Sequence, residues 1–273
     1  GLGIMKHLKK WVPHNTLEVI YKMYVRPHLD YGDIVYDSSD ACNTPNSIAK
    51  KVENIQYGAA KIILGAWHGT SREKLYDILG WESLLDRRKL RKLCLLYEIE
   101  NNMSPNYLQV TLDAQKYSEN SRFFNKGIFK EIICNNKKFK LSFFPSVIKD
   151  WNSLDAAIKQ SKSKNIFKNR LLNKIRPKKK IYFGISSNQK VSFITMLRTG
   201  LSPLRSHKFR HNFLDTSDPY CPNCGNVEDP RHFLLHCTSY TSSRTALLQN
   251  VSALLKFNIS SLSDQKIIKI FLY

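Results

Sequence analysis

Negative charge is scarce in this sequence. Only 22 of its 273 residues are Asp or Glu, against 43 Lys and Arg, leaving a formal charge of +21. That excess is larger than solubility requires and points to a polyanionic partner, RNA or DNA above all. Long apolar runs are missing too. No stretch approaches the roughly 20 residues that cross a bilayer, and no signal peptide is visible. No membrane partner is therefore expected, and the expected compartment is intracellular, nuclear or cytoplasmic. Cysteine is scarce and unevenly placed. Of six, three fall between positions 221 and 237, while Cys42, Cys94 and Cys134 are scattered. This pattern suits a reducing compartment better than a disulfide framework. Cys94, in a leucine-rich stretch, is expected to be a core thiol. Hydrophobic residues make up 42%, enough for one large or two modest domains. The chain begins with Gly1 and is expected to be a piece of something longer.

The clustered cysteines carry the clearest chemistry. The segment reads CPNCGNVEDPRHFLLHC, with two residues between Cys221 and Cys224, seven before His232 and four more before Cys237. Three thiolates and an imidazole suit a tetrahedral zinc, as a closed structural site with no open catalytic position. Gly225 permits a tight turn after the first pair. Asp229 is placed to cap a short helix that Pro230 opens. His232 and Cys237 then lie a little over one turn apart. His236 competes for the fourth position, but Cys237 is favoured because a third thiolate completes the set without distorting the helix.

Elsewhere the periodicity is helical. Asn15 and Glu18 suggest a capping box, with Leu17, Ile20, Tyr21 and Tyr24 as the apolar stripe and Pro27 as the stop. Asp30 and Asp33 in the following turn are read as turn formers. Ile48, Val52, Ile55, Ala59, Ile62 and Ile63 mark a helix closed by Gly65. Thr70 and Glu73 suggest another box, opening a helix that ends at Gly80. A leucine-rich helix follows from Leu84, loaded with Arg87, Arg88, Arg91 and Lys92, and it is expected to face phosphates. Between Lys116 and Phe144, phenylalanines alternate with Lys and Asn, which predicts short strands or extended loops. Trp151 is expected to anchor a core. Residues 161–180 hold nine Lys or Arg and no acid. Lys168, Arg170, Lys174, Lys178, Lys179 and Lys180 in this run are candidate nucleic-acid contacts. VSFITMLRTG predicts a helix closed by Gly200. Ser202 and Pro203 are expected to open the next, which carries Arg205, Lys208 and Arg210 as further phosphate contacts. His207 and His211 on it are read as facing solvent or phosphate.

LEVIYKMYVRPHLDYGDIVYD, ENIQYGAAKIILGAWHGTSREKLYDILGWESLLDRRKL and NNMSPNYL together resemble the segment after the polymerase palm in reverse transcriptases of non-LTR retrotransposons, the jockey-like and LINE-like elements. An FFP…WN segment resembles the same family. MLRTGLSPLRSHKFR followed by the cysteine cluster is similar to its C-terminal Cys-Cys-His-Cys motif, which falls on Cys221, Cys224, His232 and Cys237. The spacing before the histidine is longer than in the retroviral nucleocapsid knuckle. The resemblance implies a thumb-like helical region over 1–115, a basic connector over 116–185 and a zinc-binding module over 186–273. It also implies that the module helps a polymerase hold template and target, with the upstream palm of the same polyprotein as a partner. Polymerase activity in that family needs adjacent palm aspartates holding two metal ions. No Asp-Asp pair occurs here, and the middle is too poor in acids for a ribonuclease H. The expectation is therefore a mainly α, non-catalytic, zinc-stabilised fragment that binds nucleic acid. Two alternatives remain: a zinc module that docks protein, and a hydrolase built on His207 and His211.

Overall fold

In the computed structural model, residues 1–36, 48–175, 187–255 and 257–272 are described. The architecture is mainly α, as expected. The longer helices are α1 (Leu2–Leu8), α2 (His14–Ile20), α3 (Arg26–Asp30), α4 (Ile48–Leu64), α5 (Arg72–Leu79), α6 (Leu84–Glu100), α7 (Asn106–Asp113), α8 (Phe143–Asn152), α9 (Lys164–Ile175), α10 (Asn188–Thr199), α11 (Arg205–Arg210), α12 (Thr241–Leu255) and α13 (Asp264–Leu272). Among the described residues, no helix is long and apolar enough to cross a membrane.

A first core gathers Met5, Leu17, Tyr21, Ala60, Ile63, Leu75 and Leu79 from α1, α2, the π turn that follows it, α4 and α5. The Asn15–Glu18 box does not form. Pro13 precedes the helix, and Asn15 accepts only from the adjacent Thr16 N–H. Glu18 is instead buried, accepting from the Trp81 indole at 3.1 Å and pairing with Lys22 at 2.6 Å. Pro27 does not stop the rod either. A π turn over Tyr21–Val25 intervenes, and Pro27 then sits in the first turn of α3, where a missing N–H leaves no gap. On α4 the buried face runs through Ala49, Glu53, Gln56, Ala60 and Ile63, leaving Ile48 exposed and Ile55 at the surface. Both polar residues on that face are satisfied. Glu53 accepts from the Tyr76 hydroxyl at 2.7 Å and the Leu84 N–H at 2.9 Å. Gln56 accepts from the Tyr21 hydroxyl at 2.7 Å and donates to the Glu82 carbonyl. The cap of α5 is Ser71 rather than Thr70; Ser71 accepts from Lys74 N–H and donates to Glu73.

Helix α6 leads from this core into a second. Fourteen buried side chains form it, including Leu93, Leu96, Tyr97, Trp151, Phe167 and Leu171. Residues on both sides of position 115 contribute, so the segments expected over 1–115 and 116–185 share one interior. Trp151 is the expected anchor, 2% exposed, with its indole donating to the Gly127 carbonyl at 3.0 Å. The predicted strands of the middle reduce to an isolated bridge between Lys116 and Phe129. The reason is local. The Asn152 side chain accepts from Phe129 N–H at 3.0 Å and donates to its carbonyl at 2.9 Å. A helix side chain thus satisfies backbone groups that would otherwise seek a strand partner.

The third core is small: Leu197, Leu204 and Leu272, with Phe193, Phe233, Leu234 and Ile268 half-buried around them. Gly200 closes α10 at φ 78°, as predicted. Ser202 does not cap the next helix. That helix starts at Arg205, whose N–H is taken by the Glu228 carboxylate at 2.8 Å, while the Glu228 carbonyl accepts from Ser206. The cap comes from the cysteine-bearing loop, far along the chain.

Candidate metal centre and its basic surroundings

Two short pieces of backbone bring the four ligands together. The first is a tight hairpin joined by a bridge between Tyr220 and Val227. Cys221 N–H donates to the Asn226 carbonyl at 2.7 Å, and Gly225 N–H donates back to the Cys221 carbonyl at 2.9 Å. Gly225 turns the chain at φ 70°, a left-handed conformation that a side chain would strain. The second piece is a π turn, His232–His236. Asp229 caps it as expected, its carboxylate accepting from His232 N–H at 2.7 Å. Cys237 N–H then donates to the His232 carbonyl at 2.8 Å. This five-residue closure is what a His-x4-Cys spacing needs, because it returns residue 237 to the side from which His232 projects.

The ligand atoms of Cys221, Cys224, His232 and Cys237 all lie within 4.8 Å of one another. Cys221 Sγ stands 3.9 Å from Cys237 Sγ, and Cys224 Sγ is 3.2 Å from His232 Nε2. Zinc–sulfur bonds of about 2.3 Å in a tetrahedron put sulfurs about 3.8 Å apart, so the set fits a zinc-sized ion. Cys221, His232 and Cys237 are buried and Cys224 is half-buried, as a closed structural site requires. Burial opposes ionisation of Cys221, but the Asn223 backbone, His232 and Cys224 outweigh it and hold the thiol down to about 7. Cys224 is pushed up, first by burial and then by its neighbouring cysteines. His236 stays out of the cluster: its Nε2 meets the Asp264 carboxylate at 2.9 Å, beside Arg231. The preference for Cys237 over His236 therefore holds in the geometry.

One supporting residue has no signal in the sequence. Arg244, on α12, donates to the Leu234 carbonyl at 2.9 Å and the Cys237 carbonyl at 2.6 Å. It covers the free carbonyls at the end of the π turn, which places it behind a ligand in the manner of an outer-shell partner. The five described cysteines are all free thiols, and Cys94 is buried as expected; Cys42 lies outside the described residues.

The candidate phosphate contacts divide sharply. On α6 the candidate cations are engaged or buried within the chain to different degrees. Arg87 makes a forked pair with Asp30 at 2.9 Å and also meets Glu82 at 2.8 Å. Arg91 pairs with Asp33 at 2.9 Å. Arg88 and Lys92 are 8% and 3% exposed, the latter reaching Ser146. Asp30 and Asp33 are thus ion-pair partners more than turn formers. The helix is wedged between two cores, and the acids of the preceding turn close over its charged face. On α9, Lys168 is exposed at the edge of a pocket lined by Leu90, Cys94 and Glu98, and Arg170 bonds the Ala157 carbonyl and Ser161. Lys174 lies in the last turn of that helix. Lys178, Lys179 and Lys180 lie outside the described residues. On α11, Arg205 pairs with Asp218 at 2.8 Å and Lys208 with Asp215 at 2.6 Å, while Arg210 is exposed.

His207 does not face solvent or phosphate. It is 6% exposed, edge-on to Trp67 with ring centres 5.5 Å apart, and 4.5 Å from the His211 ring. Burial and His211 lower its proton affinity. The sequence showed four-residue spacing on a basic helix but nothing of Trp67, which arrives from the α4–α5 connection.

Comparison with known proteins returned no match: no protein-family model, no curated protein and no solved structure aligns with this chain.

Proposed function

We propose that this chain is the non-catalytic, nucleic-acid-binding C-terminal part of a retrotransposon reverse transcriptase, ordered at its end by one structural zinc. Its charge distribution supports the nucleic-acid part of this reading. Of the few acids, Glu18, Asp30, Asp33, Glu53, Glu82, Glu98 and Asp150 are tied to partners inside the chain. The excess of +21 is left to outward-facing cations such as Lys51, Lys162, Lys168 and Arg210. Such a surface collects phosphates by releasing their counterions. The compartment that fits is intracellular, where thiols stay reduced and nucleic acid is at hand.

The test is a binding titration with RNA and DNA oligonucleotides across salt concentrations. The logarithm of affinity should fall linearly with the logarithm of salt, at about −0.9 per contacted phosphate on duplex DNA. Absence of affinity even at low salt overturns the reading. A second reading, a protein-docking module, draws on α12, which buries none of its residues and exposes Leu247, Leu254 and Leu255. Charge reversal at Lys162, Lys168 and Arg210 separates the two: unchanged nucleic-acid affinity favours docking.

A further inference from the structure

A cleft of about 860 Å³ opens between the α1–α2 connection, the α4–α5 connection and α10. Its lining includes Lys6, Lys9, Lys10, Trp11, Trp67 and Phe193, and no residue of the lining is acidic. Its walls are fixed. Asn188, at the start of α10, donates to the Lys9 and Val12 carbonyls at 3.1 and 2.8 Å and accepts from His14 N–H at 2.8 Å. Ser192 donates to the Gly65 carbonyl at 2.8 Å. There Gly65 is obligatory twice over: its φ is 62°, and a Cβ would come within 2.6 Å of the Ser192 hydroxyl. Trp67 is held against His207 and Phe213, and Phe193 packs edge-on to Phe233 with ring centres 5.6 Å apart.

Trp11 is the exception among these aromatics. It is 79% exposed at the rim, so its indole is open to a stacking partner. Lys6 and Lys10 beside it are exposed, and Lys9 is half-buried. Desolvation lowers the proton affinity of Lys9, and no acid opposes that effect. A half-buried cation in a cleft whose lining holds no acid gains from an anion brought to it.

We propose that this cleft takes an unpaired base of a single-stranded nucleic acid, stacked on Trp11, with the flanking phosphates on Lys6, Lys9 and Lys10. The inference rests on the nucleic-acid reading above and deepens it by naming the strand state and the contact. An aromatic face takes any base whose own face is free, and neighbouring lysines follow the backbone. A duplex offers no free face here, because its bases are already stacked and paired.

The experiment uses the full, zinc-loaded chain and a single-stranded oligothymidylate of about ten nucleotides, read by quenching of tryptophan fluorescence. Wild-type protein should be quenched on saturation. Trp11→Ala should lose most of the quenching and bind roughly tenfold more weakly. Lys6→Gln with Lys10→Gln should keep the quenching but reduce the salt slope by about 1 to 2. Because the Trp11 ring is exposed, its removal leaves the cores intact. Wild-type affinity in Trp11→Ala overturns the cleft while leaving general nucleic-acid binding standing. Equal quenching by a duplex of the same length also overturns it. Absence of any binding by wild-type protein removes both readings together.

Discussion

The second core and the C-terminal module are built from the same kinds of helix, yet they hold together differently. Around α6, fourteen buried side chains interlock, with Tyr97 stacked on Phe167 at 4.6 Å and Trp151 beside them. Around the cysteines, three buried side chains and four half-buried ones form the whole apolar cluster among the described residues. At about 1.5 to 3 kcal/mol per buried large side chain, the first collection contributes several times the apolar stabilisation of the second. Apolar burial holds one region; in the other, four side chains that could hold a metal ion join a hairpin to a π turn. The two should therefore come apart under treatments that act on one cohesive force alone.

Metal removal is the strongest such treatment. Structural zinc is worth about 10–16 kcal/mol in small metal-folded domains. Chelation, or Cys221→Ser with Cys237→Ser, should abolish hydrogen-exchange protection over 219–240 and α13 while leaving α6, α8 and α9 protected. Simultaneous loss of both regions would contradict the division. Trp151→Ala is the converse test. It should destabilise the second core by about 3–5 kcal/mol in denaturant unfolding, with one zinc per chain retained. Next comes Asp30→Ala, which leaves the half-buried Arg87 without its forked partner. A loss of about 1–3 kcal/mol is expected, again without change in metal content. Asp229→Ala removes the cap of the π turn and should cost about 1 kcal/mol, seen as faster zinc loss to a competing chelator. The smallest effect belongs to His236→Ala, which should leave zinc stoichiometry unchanged, since that ring faces Asp264.

The same contrast explains which features the sequence disclosed. The cysteine–histidine cluster was legible because its signals are local: ligand spacing, Gly225 at the turn, Asp229 before the helix. The ends of α5 and α10 were legible for the same reason, each carrying a glycine at positive φ. What the sequence hid was held by distant partners. Arg87 looked like a phosphate contact because Asp30 lies 57 positions away. Ser202 looked like a cap because Glu228, which takes that role, sits across the hairpin. The strands expected around Phe129 gave way to one asparagine side chain on α8. His207 looked exposed until Trp67 was placed over it. On α4, period alone selected the isoleucines, whereas Glu53 and Gln56 turn inward because Tyr76, Tyr21 and two backbone groups wait for them.

The most direct test is X-ray absorption at the zinc edge of purified protein, alongside metal analysis. One zinc per chain with three sulfurs at about 2.3 Å and one nitrogen at about 2.0 Å is the predicted result. Protein that folds its C-terminal module without stoichiometric zinc, or a site with two nitrogens and two sulfurs, would contradict it.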